Sequence, residues 1–132
     1  WLTDKAYNVT TDLINSGTEF NYIFANNDMM AQGCYNALKD AGKENIPIVS
    51  TGGSPDGFKM LQDGIEAANM TAPVSIQGVK TFMNLYNKVA LGEDPAEKFT
   101  ALPVIPVSAD DTSSYIAWDD YAAAYKYLGE NK

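Results

Sequence analysis

The chain has 132 residues and a formal net charge of −8, with 45% hydrophobic and 20% charged residues. That length holds one domain burying about two thirds of its unfolded surface, and the acidic balance disfavours nucleic acid and anionic membranes as partners. There is neither Arg nor His, which removes the bidentate phosphate clamp and the usual general base near neutral pH.

Thr3 is a plausible N-cap, and Ala6, Val9, Leu13 and Ile14 mark a helical face that ends near Gly17. Tyr22-Ile23-Phe24 reads as a buried strand. After it, Met30, Cys34, Leu38 and Ala41 recur at helical spacing, and Gly42 closes that helix as a left-handed cap. Asn26, Asn27 and Asp28 therefore sit where a strand ends and a helix begins. Asp28 is expected to cap the helix, which leaves the Asn27 amide free over a crevice; the alternative is that both Asn residues only turn the chain. Cys34, the single cysteine, lies on the apolar face and is expected in the core rather than as a nucleophile.

Ile46 to Ser50 is a second strand, with Pro47 near its start. In the following turn, Ser54 suits an N-cap and Pro55 the first helical position, with Phe58, Leu61 and Ile65 as the buried side. Residues 67–71 form a short third strand. Pro73 opens a long helix carrying Val79, Phe82, Met83, Tyr86, Val89 and Ala90, which Gly92 stops. Residues 101–107 are extended, but Pro103 and Pro106 confine them to an edge or a crossing segment. Residues 118–128 read as a terminal helix, with Trp118, Tyr121 and Tyr125 on one side. No apolar run reaches transmembrane length.

Strand–helix alternation of this kind implies an α/β fold, a parallel sheet flanked by helices in three layers. The strand ends at 26–28, 51–54 and 71–73 then line one edge, where open α/β sheets bind ligands. The Gly52-Gly53-Ser54-Pro55-Asp56-Gly57 turn lacks the Lys-Ser/Thr of a P-loop, and Asp56 would repel a phosphate. Its two glycines either make a tight turn or leave room for a ligand. The pairs Asp110-Asp111 and Asp119-Asp120 do not have calcium-loop spacing and read as a solvated face. Without His there is no nucleophilic triad, and nothing calls for a cofactor or metal. Asn8 and Asn69 match the glycosylation sequon but fall in regular elements. An indole such as Trp1 can stack on a sugar or close a core.

The run Ala25-Asn26-Asn27-Asp28-x-Met30-Ala31-x-Gly33, the following Ile46-Pro47-Ile48-Val49, and the Ser54-Pro55-Asp56-Gly57 turn resemble the type I periplasmic sugar-binding proteins, the ribose- and galactose-type receptors of ABC importers. The resemblance implies a non-enzymatic, two-lobed receptor, periplasmic or extracellular, that closes on one sugar and delivers it to a membrane permease. It places residues 1–71 in part of the C-terminal ligand-binding lobe. Residues 72–107 become a helix and crossing segment of the N-terminal lobe, and 108–132 a tail with the terminal helix. The lobe is then incomplete, and the chain is expected to self-associate.

By the same resemblance Trp1 stacks on the sugar and Asn27 hydrogen-bonds its hydroxyls. Thr71 falls near an amide-bearing ligand residue, with Ala72 or Asn69 as alternatives. Trp118 is expected far from the site. Gly52 stands where the family usually has an Asp, so a carboxylate that accepts from two hydroxyls is missing, and ribose and galactose themselves are in doubt. The rival readings are the effector domain of a lactose-repressor-type regulator, an extracellular sensor, and a Rossmann-type enzyme. The missing dinucleotide fingerprint argues against the last.

Overall fold

The structure is a computed structural model and describes residues 1–95 and 97–130. Helix α1 (Thr3–Asn15) is followed by β1 (Ile23–Ala25), α2 (Asp28–Asp40), β2 (Ile48–Gly52), α3 (Pro55–Gln62) and β3 (Glu66–Thr71). Helix α4 (Val74–Tyr86) runs into a π-helical turn, Asn87–Leu91, before β4 (Ile105–Ser108) and α5 (Tyr121–Glu130). Local chemistry explains several boundaries. Ser54 accepts the Gly57 N–H at 3.1 Å and Pro55 opens α3, the expected cap. Thr3, however, is the first residue of α1 rather than its cap, and Leu2 before it makes no side-chain cap bond. The terminal helix starts at Tyr121, so Trp118 lies in the loop before it.

The strands form one sheet in the order β1-β2-β3-β4. The first three are parallel, as strand–helix–strand units require, and β4 joins antiparallel. Pro106 is tolerated because β4 is an edge strand. Register sets the side chains in rows. Ala25, Ser50, Asn69 and Val107 lie side by side, and so do Gly52, Thr71 and Ile105. These rows face inward. All five helices add buried residues to two clusters on that face: Ala6, Ala31, Cys34, Leu38 and Met60 gather with Ala25 and Ile48, while Leu61, Ile76 and Ala124 gather with Ile105 and Val107. Each large apolar side chain so buried contributes about 1.5–3 kcal/mol. Phe24, Val49 and Ala68 form a row on the other face, where Phe24 stays 56% exposed.

Strand β3 breaks its own alternation once. Ile48 pairs with Glu66 but Val49 with Ala68, so Ala67 is an extra residue. On a regular strand, residues three apart point to opposite faces. The bulge brings Glu66 and Asn69 to the same inner face, and both are 0% exposed. Helix α4 buries only its first turn, at Ser75 and Ile76; Val79 packs against the second cluster, while Phe82, Tyr86 and Val89 are exposed. No helix among the described residues is long and apolar enough to cross a membrane.

Candidate functional site

Two residues at the start of α2 exchange their expected roles. Asn27 caps the helix, its Oδ1 accepting the Met30 N–H at 2.8 Å. Asp28 is the first helical residue, buried, with its carboxylate turned toward the β2–α3 turn. Oδ2 accepts the Ser54 N–H at 2.7 Å, and Oδ1 accepts from Asn69 Nδ2 at 2.7 Å and from Ser50 Oγ at 3.1 Å. Asn and Asp are equally good caps locally. Position 28 lies over the sheet interior, where a carboxylate must be surrounded by donors, whereas the rim position of Asn27 asks for one acceptor only.

Glu66 completes this cluster. Its Oε1 lies 2.8 Å from Ser50 Oγ, its Oε2 lies 2.9 Å from Asn69 Nδ2, and Nδ2 is also 2.8 Å from Ser50 Oγ. Asn69 Oδ1 is buried without a partner. The ion pairs Lys59–Asp63, Lys88–Asp94 and Lys126–Glu130 are all at the surface and none reaches the cluster. Burial pushes the Glu66 carboxyl up, the bonds from Asn69 and Ser50 pull it back, and the Asp28 charge raises it again, to about 7.

Above the cluster β2 ends at Gly52, with φ +133°, followed by Gly53, with φ +71°. A Cβ on Gly52 would sit 2.9 Å from Asp28 Oδ2, and one on Gly53 would sit 2.6 Å from Thr71 Cβ. Neither position accepts a side chain, so the absence of an Asp at position 52 is built into the backbone. The Gly52 carbonyl accepts the Ala72 N–H at 3.0 Å and the Trp118 indole N–H at 3.4 Å. Tyr115 Oη donates to the Gly53 carbonyl at 3.1 Å, its ring stacked on Phe58 with centroids 3.8 Å apart. Trp118, expected far from the site, therefore touches the turn that holds Gly52. A loop distant in sequence, Tyr115 to Trp118, folds back over that turn.

The structure brings Asn27, Gly52 and Thr71 to the carboxyl edge of the parallel strands, with Gly52 and Thr71 paired in register. Thr71 is wholly buried, and its hydroxyl donates to the Ile105 carbonyl at 2.8 Å. Ala72, the next residue, is half-buried, and Asn69 lies in the cluster beneath. Trp1 precedes α1 and is 79% exposed. Thr3 and Asp28 line one small cavity, which sets the start of α1 beside the start of α2. The roles of Ser50, Glu66, Tyr115 and Trp118 were not anticipated. Polar residues inside the apolar strands β2 and β3 were the available signal for the first two.

Residues 1–94 match the family described as the periplasmic binding protein domain. Ribose import binding protein RbsB of Escherichia coli (strain K12) is 35% identical over 98 residues, covering 72% of this chain and 32% of that protein. An ABC transporter periplasmic solute binding protein from Actinobacillus succinogenes 130z, with bound D-allose, superposes with a TM-score of 0.77 at 23% identity, over 87% of this chain and 40% of that one. The periplasmic binding component of the arabinose ABC transporter from Shewanella sp. ANA-3, bound to L-arabinofuranose, gives 0.74 at 21% identity, over 99% and 44%. The chain thus spans about a third of the length of the curated relative it matches.

Proposed function

The chain belongs to the periplasmic binding protein domain family, and on that premise we propose that it is a sugar-contacting part of the substrate-binding protein of an ABC importer. One observation carries the reading: Asn27, the Gly52-Gly53 turn and Ala72 meet along the carboxyl edge of the parallel strands, where open α/β sheets bind ligands. Residues 1–71 belong to one ligand-binding lobe, which β4 and α5 rejoin, and the exposed later turns of α4 with the chain up to β4 are the stretch that reaches toward the other lobe. A monosaccharide-like ligand fits between the lobes, with Trp1 stacking on its apolar face. Asn27 offers its Nδ2 donors, because its Oδ1 is spent on the cap. With no carboxylate at position 52, the ligand differs from ribose and galactose in how its hydroxyls are held. The complete protein works outside the cytoplasmic membrane, hands its sugar to a permease, and performs no reaction of its own.

Calorimetric titration of the complete protein with a sugar panel tests this. One sugar should bind tightly, and at a hundredfold excess over its dissociation constant it should add about 2.7 kcal/mol of stability. Asn27→Ala should lower its affinity roughly tenfold or more. The same change should cost about 1 kcal/mol of stability through the lost cap. A panel without a binder defeats the function. Unchanged affinity in the variant defeats the role of Asn27.

Alone, the 132-residue chain should self-associate. Strand β1 is an unpaired edge beside exposed Tyr22 and Phe24, and α4 exposes Phe82, Tyr86 and Val89. Light scattering at micromolar concentration should give a mass above that of one chain; a clean monomer contradicts it.

A further inference from the structure

The buried cluster beneath Gly52 is short of hydrogens. Six contacts join Asp28, Ser50, Ser54, Glu66 and Asn69. With both carboxyls ionised, hydrogens come only from the two on Asn69 Nδ2, the one on Ser50 Oγ and the one on Ser54 N. That leaves two of the six contacts without a hydrogen between their heavy atoms, at separations of 2.7–3.1 Å.

One added proton removes much of the deficit, and the partners show where it sits. Asp28 Oδ2 faces a backbone N–H and its Oδ1 faces Asn69 Nδ2 at 2.7 Å; both partners can only donate, so both Asp28 oxygens are acceptors. Glu66 Oε1 faces Ser50 Oγ, which can accept as well as donate. A proton on Oε1 donates to Ser50 Oγ. Ser50 then donates to Asp28 Oδ1, and the two Asn69 hydrogens serve Asp28 Oδ1 and Glu66 Oε2.

We propose that Glu66 keeps this proton in the folded protein in mildly acidic solution, up to the edge of neutrality, and that it locks Asp28 onto the Ser54 N–H and so fixes the Gly52–Ser54 turn. Glu66 is a positioning residue, acting through Ser50 and Asp28. That the turn so held is a ligand edge rests on the sugar-receptor reading; that the proton holds the turn does not. The groups facing Glu66 are few. Asp28 comes from α2, and β2 and β4 bring no ionisable side chain in their ranges. On α3 and just past it, Asp56, Lys59 and Asp63 line the small cavity beside Asp28, and Lys59 is tied to Asp63 at 2.8 Å. Among the described residues, then, no ion pair brings a cation to offset a second negative charge in the cluster.

The sign follows from linkage. The folded carboxyl titrates near 7 against an ordinary 4.5, so the folded state binds the extra proton between those values. Its stabilising contribution is complete below 4.5 and is lost as pH rises to about 7. Glu66→Gln preserves a donor in the same shape and cannot ionise.

The test uses the 132-residue chain and no sugar, so it stands apart from the titration above. In the parent, the Glu66 side-chain carboxyl carbon should titrate by NMR near pH 7. The urea midpoint of the parent should fall relative to Glu66→Gln as pH rises from 4.5 to 7, and the gap should stay constant above. Hydrogen exchange at the Ser54 amide should accelerate through the same window beyond its intrinsic pH dependence in the parent, and follow the intrinsic dependence in the Gln variant. An ordinary carboxyl midpoint, or parallel stability profiles, overturns the proton. A high midpoint with intrinsic Ser54 exchange in the parent overturns its hold on the turn.

Discussion

Asp28→Ala is expected to destabilise the chain by about 2–3 kcal/mol, because it strands the Ser54 N–H and removes the acceptor on which three donors converge. The Ser54 N–H loses its acceptor, whereas Ser50 Oγ and Asn69 Nδ2 are left with Glu66, at 2.8 and 2.9 Å. Alanine supplies no acceptor and leaves a void beside the buried row of the sheet. One effect opposes this: Glu66 loses a like charge. That relief is smaller, since the Asp28 charge ranks last among the influences on Glu66. Asp28→Asn keeps the volume but brings an NH2 group to a site whose neighbours already donate, so it should also destabilise, by about 2 kcal/mol or more. Urea unfolding at pH 6 measures both. A loss under 1 kcal/mol for the Ala variant would mean that Asp28 is a simple helix-start residue and the cluster is not a unit.

Gly33→Ala should destabilise by roughly 2 kcal/mol or more, against the sign that helix propensity alone dictates. Inside a helix, alanine is favoured over glycine by about 1 kcal/mol. At Gly33 an added Cβ runs into the carbonyl oxygen of Thr3 and comes within 3.0 Å of the Tyr7 nitrogen. Both neighbours are backbone, so no side chain can swing aside, and α1 must lift away from α2. Ala6 and Thr10, buried on α1, then lose packing. Overpacking of this kind costs about 1–3 kcal/mol and sometimes more, enough to overturn the propensity gain. Gly78 in α4 is the internal control, with nothing within 4 Å of its would-be Cβ. Gly78→Ala should stabilise by up to about 1 kcal/mol. Unfolding midpoints that move in the same direction for both variants would remove the close approach of α1 and α2 as the cause.

These two sites also mark how far the sequence could be read. Strand–helix alternation, the Ser54-Pro55 start of α3 and the edge character of the proline-bearing segment were legible because each depends on neighbours in the chain. Gly33 was visible inside a motif, but its reason lies across an interface, in the Thr3 carbonyl. Asn27 and Asp28 are interchangeable as caps to any local argument, and only the distant Ser54 amide decides between them. Glu66 was harder still. Regular alternation puts it opposite Asn69, and the bulge at Ala67 that reverses this depends on the register between two strands. Thr71 is the mirror case: its position at a strand end was legible, but the carbonyl of Ile105 that takes its hydroxyl arrives from a strand paired only in the fold.

The indole that donates to the Gly52 carbonyl turns the chain into its own optical instrument. Trp1 and Trp118 are its two tryptophans, one largely in solvent and the other half-buried against the turn. Replacing Trp1 by Phe leaves a single tryptophan, whose excited-state dipole is anchored to one backbone oxygen. Whatever shifts that oxygen, whether a bound molecule, a lost proton below it or a twist of the sheet, is written into the colour and lifetime of the light. The Tyr115–Trp118 loop, a structural strap by its hydrogen bonds, thereby gives a label-free gauge of the edge it covers.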